Sequence, residues 1–143
     1  MILKELREAR ERGDLRPFLR RIPYAQFLGL DTELVDGEPR GLLRYSESTI
    51  GNPLLPALHG GVIGALLETT AWLHIAWQVD LLTPPRALTF TVSYLRSGKP
   101  QDLYAKATIT RQGRRVISVH TTAWQDDRAR PIAYATGQFL ANS

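Results

Sequence analysis

A chain of 143 residues, 43% hydrophobic and 22% charged, has the make-up of one globular domain with room for a core. It contains no cysteine, which excludes disulfides, cysteine-based metal sites and a cysteine nucleophile. Of the net charge of +4, residues 1–21 carry +3 and the remainder +1, so the main body is nearly neutral and offers neither nucleic acid nor a membrane a basic footprint.

Residues 2–12 predict a helix with Ile2, Leu3 and Leu6 as its apolar patch and Gly13 as its stop. Its charges are mixed and spaced for i,i+4 pairs such as Glu8 with Arg12, the pattern of a solvated helix face. The opening MILKELREARERGDLR is too charged for a signal peptide, which leads to the expectation of a cytoplasmic protein. With a second helical turn over Leu15–Arg21, residues 1–21 form an N-terminal helical extension, and residues 22–143 form the main domain. An amphipathic piece from Ile22 to Gly29 leads into the first strand. Thr32–Val35 and Gly41–Tyr45 then flank Asp36-Gly37-Glu38-Pro39, which has hairpin-turn chemistry.

A turn-rich loop, Gly51 to Pro56, runs into His59-Gly60-Gly61 and then a long apolar stretch. Apart from His74, the only ionisable residue between Val62 and Val79 is Glu68. Apolar residues on nearly every side predict a buried helix. Its length approaches that of a membrane span, but Glu68, His74 and Gln78 argue for a helix enclosed by a sheet. Four alternating stretches follow, Ala87–Leu95, Leu103–Arg111, Val116–Trp124 and Ile132–Leu140, separated by turn residues, and they read as an antiparallel meander. The fold class is α+β, with about six antiparallel strands wrapped around one long central helix.

The start of that helix carries the chemistry. Its first N–H groups lack intrahelical acceptors, and the macrodipole adds about half a positive charge there. The amides of Gly60 and Gly61 can therefore hold a polarised carbonyl oxygen, and glycine permits a close approach. Glu68 lies seven residues past Gly61, close to two full turns, so the two share a face. A lone ionised acid in an apolar setting costs several kcal/mol, and no Lys or Arg lies within four residues of Glu68 to pair with it. It is therefore paired elsewhere, protonated or functional. The axial separation of Gly61 and Glu68 is about 10 Å, too far for both to serve one carbonyl. Two antiparallel copies of the helix in a dimer would bring one chain's glycines to the other's acid.

These residues carry a resemblance. His59-Gly60-Gly61, the Asn52-Pro53 loop and Glu68 resemble the hotdog-fold thioesterases of the phenylacetate-pathway (PaaI-like) and 4-hydroxybenzoyl-CoA group. The run Thr89 to Arg96, ending Tyr94-Leu95-Arg96, is similar to the family's next strand, and the likeness spans about residues 24 to 140. It implies hydrolysis of an acyl-CoA thioester without a cofactor, in a homodimer or a dimer of two such dimers. Glu68 would be the catalytic acid, either as nucleophile or as base to water, with Gly60 and Gly61 as the oxyanion site. By the same resemblance His59 positions the loop; as a histidine at a helix start it reads as a local cap rather than a base.

The family's side-chain amide falls on Asn52, but here the loop is one residue longer and has Leu55 and Pro56 where a glycine is expected. A turn role for Asn52 stands equally open. Ala87 occupies the place of a hydroxyl found in some relatives, which leaves Thr69, Thr89 or neither as its substitute. Trp72, one turn past Glu68, is placed either in the acyl pocket or in the core. By the same resemblance Arg96, which follows Tyr94-Leu95, is the cation assigned to the coenzyme A phosphates. His74 and His120 read as structural, and no histidine pair has metal-ligand spacing. The alternative function is a binding module that holds an acyl-CoA or an aromatic acid without turnover. A dehydratase is weaker still, because no His/Asp or His/Glu pair stands at that group's motif.

Overall fold

The computed structural model describes residues 2–142. Three short helices open the chain: α1 (Ile2–Arg12), α2 (Arg16–Arg20) and α3 (Pro23–Leu28). Leu6 and Ala9, three residues apart, bury one side of α1, and Phe18 and Leu19 of α2 are buried beside them. All four belong to the same buried cluster as the central helix, so the N-terminal segment and the main body share one core. An ion pair from Arg21 to Glu5 at 2.5 Å ties this layer together at the surface, and one from Arg10 to Asp80 at 3.8 Å joins it to the segment just past the central helix.

The first hairpin pairs β1 (Leu30–Val35) with β2 (Glu38–Leu43). Its turn is the two residues Asp36 and Gly37, with φ of 54° and 77°. That left-handed pair is the two-residue turn whose twist suits a hairpin, and Asp-Gly is a preferred sequence for it. Pro39, expected in the turn, falls inside β2 instead. It pairs there with Leu34, while the next strand on the other side of β2 reaches only as far as Arg40, so the missing N–H breaks no bond on that side. A 3₁₀ turn (Glu47–Thr49) and a small hairpin of β3 (Ile50–Asn52) and β4 (Ala57–Leu58) occupy the segment expected to be a plain loop. His59 N–H to the Thr49 carbonyl (2.8 Å) and Leu58 N–H to the Gly98 carbonyl (3.0 Å) anchor it at the start of the central helix.

The central helix α4 runs from Gly60 to Gln78. No helix among the described residues is long and apolar enough to cross a membrane. The sheet packs against it with β5 (Arg86–Tyr94), β6 (Leu103–Gln112), β7 (Val116–Trp124) and β8 (Ala133–Leu140), in the order β1-β2-β6-β7-β8-β5 and antiparallel at every pairing. The expected meander holds for β6-β7-β8, whereas β5 pairs with β8 and not with its successor β6. The irregular connection over residues 95–102 is long enough to carry the chain across the sheet, which the turn residues Ser97-Gly98-Lys99-Pro100 suggested less than a tight hairpin. Helix and sheet meet closely at Gly41. A Cβ there would stand 2.0 Å from Thr70 Oγ1, so only glycine fits beneath the helix.

His74 sits on the buried side of α4, 5% exposed, and its Nδ1 finds no partner among the described residues. Burial pushes its pKa down to about 4, Lys106 pushes the same way, and Glu38 opposes. An unfolded chain takes up this proton near pH 6.5, whereas the folded chain resists until about 4. Stability from this source is therefore complete above pH 6.5 and falls as the pH drops toward 4, by on the order of 3 kcal/mol. We expect His74→Leu to lose less stability than wild type between pH 7 and pH 4 in urea titrations. Equal losses in the two proteins would show that His74 does not titrate in this window.

Candidate active site

The helix start is capped by its own histidine. His59 has extended backbone angles (φ −66°, ψ 130°), and its Nδ1 accepts the Gly61 N–H at 2.9 Å. Its carbonyl accepts from Val62 and Ile63. Of the two amides expected to face a carbonyl oxygen, Gly61's is thus engaged by the His59 imidazole. The Gly60 N–H has no acceptor among the described residues. Tyr94 of β5 lies over this end of the helix and donates its hydroxyl to the Gly60 carbonyl at 2.7 Å. The cap has a measurable consequence. His59→Ala should lower unfolding stability by about 1 kcal/mol, and His59→Asn, a strong N-cap, should recover most of it. If His59 only caps, the Asn variant also keeps its activity. A stable but inactive His59→Asn would make the imidazole a participant.

Glu68 does not lie on the buried side of α4. Residues 62, 63, 66, 67, 70, 71 and 73–76 are buried against the sheet or the N-terminal layer, while Gly61, Gly64, Ala65, Glu68, Thr69 and Trp72 form a strip left open. Helical spacing of three and four residues puts them on one face, and Glu68 is exposed in it, without an ion pair or hydrogen bond among the described residues. The all-round apolar pattern of this helix therefore has one side that a single copy of the chain does not cover.

A cavity of about 260 Å³ opens beside Glu68, lined with Thr69 and Trp72 from α4, Ala87 from β5 and Phe139 from β8. Trp72 is fixed in its wall. Its Nε1–H donates to the Pro85 carbonyl at 2.8 Å, and its ring stacks on Phe18 at 5.9 Å between centroids. Ile2, Leu19 and Ile22 of the N-terminal layer line the same cavity. Sequence reasoning had no means of placing them there, because they lie far from Glu68 along the chain and follow a helical pattern of their own.

The other expected site residues lie elsewhere. Thr89 points to the outer face of the sheet, in a polar recess with Ser118, His120 and Thr136. Simple alternation puts Ala87 and Thr89 on one face, but a β-bulge between them reverses it: Ala87 pairs with Phe139 and Thr89 with the adjacent Gln138. Thr89 is therefore no substitute for the missing hydroxyl, whereas Thr69 does share the Glu68 cavity. Asn52 is exposed, and its Oδ1 accepts the Leu54 N–H at 3.0 Å, an Asx turn that holds the lengthened loop. Arg96, two residues past Tyr94, is exposed and borders a separate charged cleft with Lys99, Arg130, Asp126 and Asp127. His120 stacks against Tyr134 at 5.5 Å, and no cluster of potential metal ligands occurs among the described residues.

A six-stranded antiparallel sheet wrapped around a long helix, with a glycine-rich helix start, is the hotdog fold. The sequence signature of the Thioesterase superfamily matches residues 55–132, more than half of the chain, and the chain belongs to that superfamily. Among solved structures, a protein of Chromobacterium violaceum is 34% identical, with 96% of each chain covered and a TM-score of 0.80. A Bacillus halodurans protein solved with CoA is 22% identical, with 98% of this chain and 93% of that one covered and a TM-score of 0.77. A Haemophilus influenzae thioesterase is 17% identical over 90% of this chain and 87% of that one, with a TM-score of 0.79. At these identities the last two speak for the fold alone. No curated protein matches the chain.

Proposed function

We propose that the protein hydrolyses an acyl-CoA thioester at a site shared between two copies of the chain. The observation that carries this reading is the open strip of α4, which presents an unpartnered Glu68 and, at the helix start, a free Gly60 N–H. The Gly60 amide of one protomer polarises the thioester carbonyl and holds the developing oxyanion, helped by the positive end of the helix. Glu68 of the facing protomer supplies the carboxylate. It either attacks the carbonyl carbon itself, giving an anhydride that water opens, or takes a proton from water as the hydroxide adds. In both courses the C–S bond breaks and coenzyme A leaves as its thiolate.

The edge of the sheet supports the dimer. The outer side of β5 pairs with no strand among the described residues, and Leu88 and Tyr94 on it are 51% and 54% exposed. An open edge of this kind invites pairing with another chain. Two β5 strands meeting edge to edge would join the two sheets and bring the open strips of the two α4 helices together. The CoA in the Bacillus halodurans relative favours coenzyme A as the thiol half of the substrate, with its phosphates assigned to the exposed Arg96, whose charged cleft also holds Lys99 and Arg130. The binding module remains the second reading, favoured by Asn52 serving its own turn and Thr89 facing away. Thiol release from acyl-CoA substrates, followed with a thiol-reactive dye, separates the two. Release that depends on the protein supports hydrolysis, and tight binding without release supports the module.

A further inference from the structure

We propose that the N-terminal helical layer sets the length of the acyl group, with Ile22 as the residue that limits it. The inference rests on the thioester reading above and extends it to the N-terminal segment that shares the core of the main domain.

The cavity beside Glu68 has two kinds of wall. Glu68, Thr69 and Trp72 come from α4, while Ile2, Leu19 and Ile22 come from three places in the first 22 residues. A thioester whose carbonyl sits at Glu68 must send one arm into this cavity and leave the other outside. Coenzyme A is too large and too polar to enter, so the acyl arm goes in. The N-terminal walls are aliphatic, and the one indole N–H in the lining is already given to the Pro85 carbonyl. The Thr69 hydroxyl and the Glu68 carboxylate lie on the α4 wall, while the N-terminal wall has nothing to hydrogen-bond, so a polar group at the far end of the acyl chain would lose its water without replacement. Its volume of about 260 Å³ is below the roughly 300–1,000 Å³ of pockets for drug-sized ligands. The chemical class that fits is an apolar acyl group of short to medium length.

The wall is held firmly enough to act as a stop. Leu19 is 1% exposed, and its neighbour Phe18 stacks flat on Trp72, with an angle of 4° between the rings. The layer thus braces the same tryptophan that forms the opposite kind of wall. Ile22 differs from Leu19 in being 36% exposed, so its side chain can be changed with little effect on the core. Its backbone links are independent of the side chain: its N–H donates to the Leu19 carbonyl and its carbonyl accepts from Gln26.

The test measures the ratio of kcat/KM for decanoyl-CoA over hexanoyl-CoA in wild type, Ile22→Ala and Ile22→Trp. The alanine variant enlarges the cavity and should raise the ratio by about tenfold, within the range that a few methylenes command in an apolar pocket. The tryptophan variant fills it and should lower the ratio by a similar factor. A ratio within about twofold of wild type in both variants would overturn the proposal, since a wall that sets length must move it. Calorimetric titration with hexanoate and decanoate separates the proposal from the thioesterase reading. If wild type releases no thiol but the two variants shift the preference between these acids in opposite directions, the hydrolase reading falls and the N-terminal wall stands. If wild type binds neither acid and hydrolyses neither thioester, the cavity is not an acyl site and the proposal falls.

Discussion

Glu68→Gln should reduce thiol release from an acyl-CoA by at least about 10²–10⁴-fold, the range that a positioned acid or base contributes, while leaving the fold unchanged. The carboxylate is exposed, touches no other charge or donor among the described residues, and stands at the mouth of an apolar cavity. Nothing in the chain's own packing depends on it. A surface change of this kind moves stability by no more than about 0.5 kcal/mol, so the urea midpoint of the variant should match that of wild type. The amide keeps the shape but can neither attack a carbonyl nor take a proton from water. Turnover close to wild type would remove Glu68 from the chemistry. A large fall in both turnover and stability would instead mean that Glu68 holds a structural contact across the dimer.

Much of this architecture was legible because local signals and tertiary packing agree. Asp36-Gly37 takes the left-handed turn that its chemistry calls for, and the alternation in Leu103–Gln112 and Val116–Trp124 buries Ala105, Ala107, Ile117 and Val119 on one face. The resemblance on His59-Gly60-Gly61 and Glu68 led to the superfamily that the sequence signature also matches. The failures have physical causes that no single stretch contains. Pairing of β5 with β8 is a long-range choice that the turn residues after Tyr94 do not encode. The bulge at Leu88 adds one residue and turns Thr89 away from the helix, a change invisible to a period-two count. The uniform apolarity of α4 suggested burial all round. In the single chain it instead leaves uncovered the strip that holds Glu68, because the sheet wraps only one side of the helix. The choice between the two glycine amides depended on where the His59 imidazole points, and it points at Gly61.

Two inactive variants should restore activity when mixed, and this tests the shared site directly. Within one chain the Gly60 amide and Glu68 are separated by about 12 Å along the helix, so one carbonyl cannot use both. Gly60→Pro removes the N–H that we assign to the oxyanion, and the local structure can accept it. Gly60 is the first residue of α4, where proline is well tolerated. The preceding His59 already has the extended angles that a residue before proline prefers, φ −66° and ψ 130°. A new Cβ would come to 3.3 Å from the ring of Tyr94, a side chain 54% exposed and able to shift. Losing one oxyanion donor costs on the order of 10²–10³ in rate, and Glu68→Gln costs the acid, so each homodimer alone should be nearly inactive. In a mixed dimer one site collects both lesions and the other collects neither. If half of the dimers are mixed, activity should rise to about a quarter of wild type, because each mixed dimer then has one intact site of two. Native mass spectrometry of the mixture shows whether subunits have exchanged. Exchange without a return of activity would place the acid and the amide in the same chain's site, or show that they do not act together.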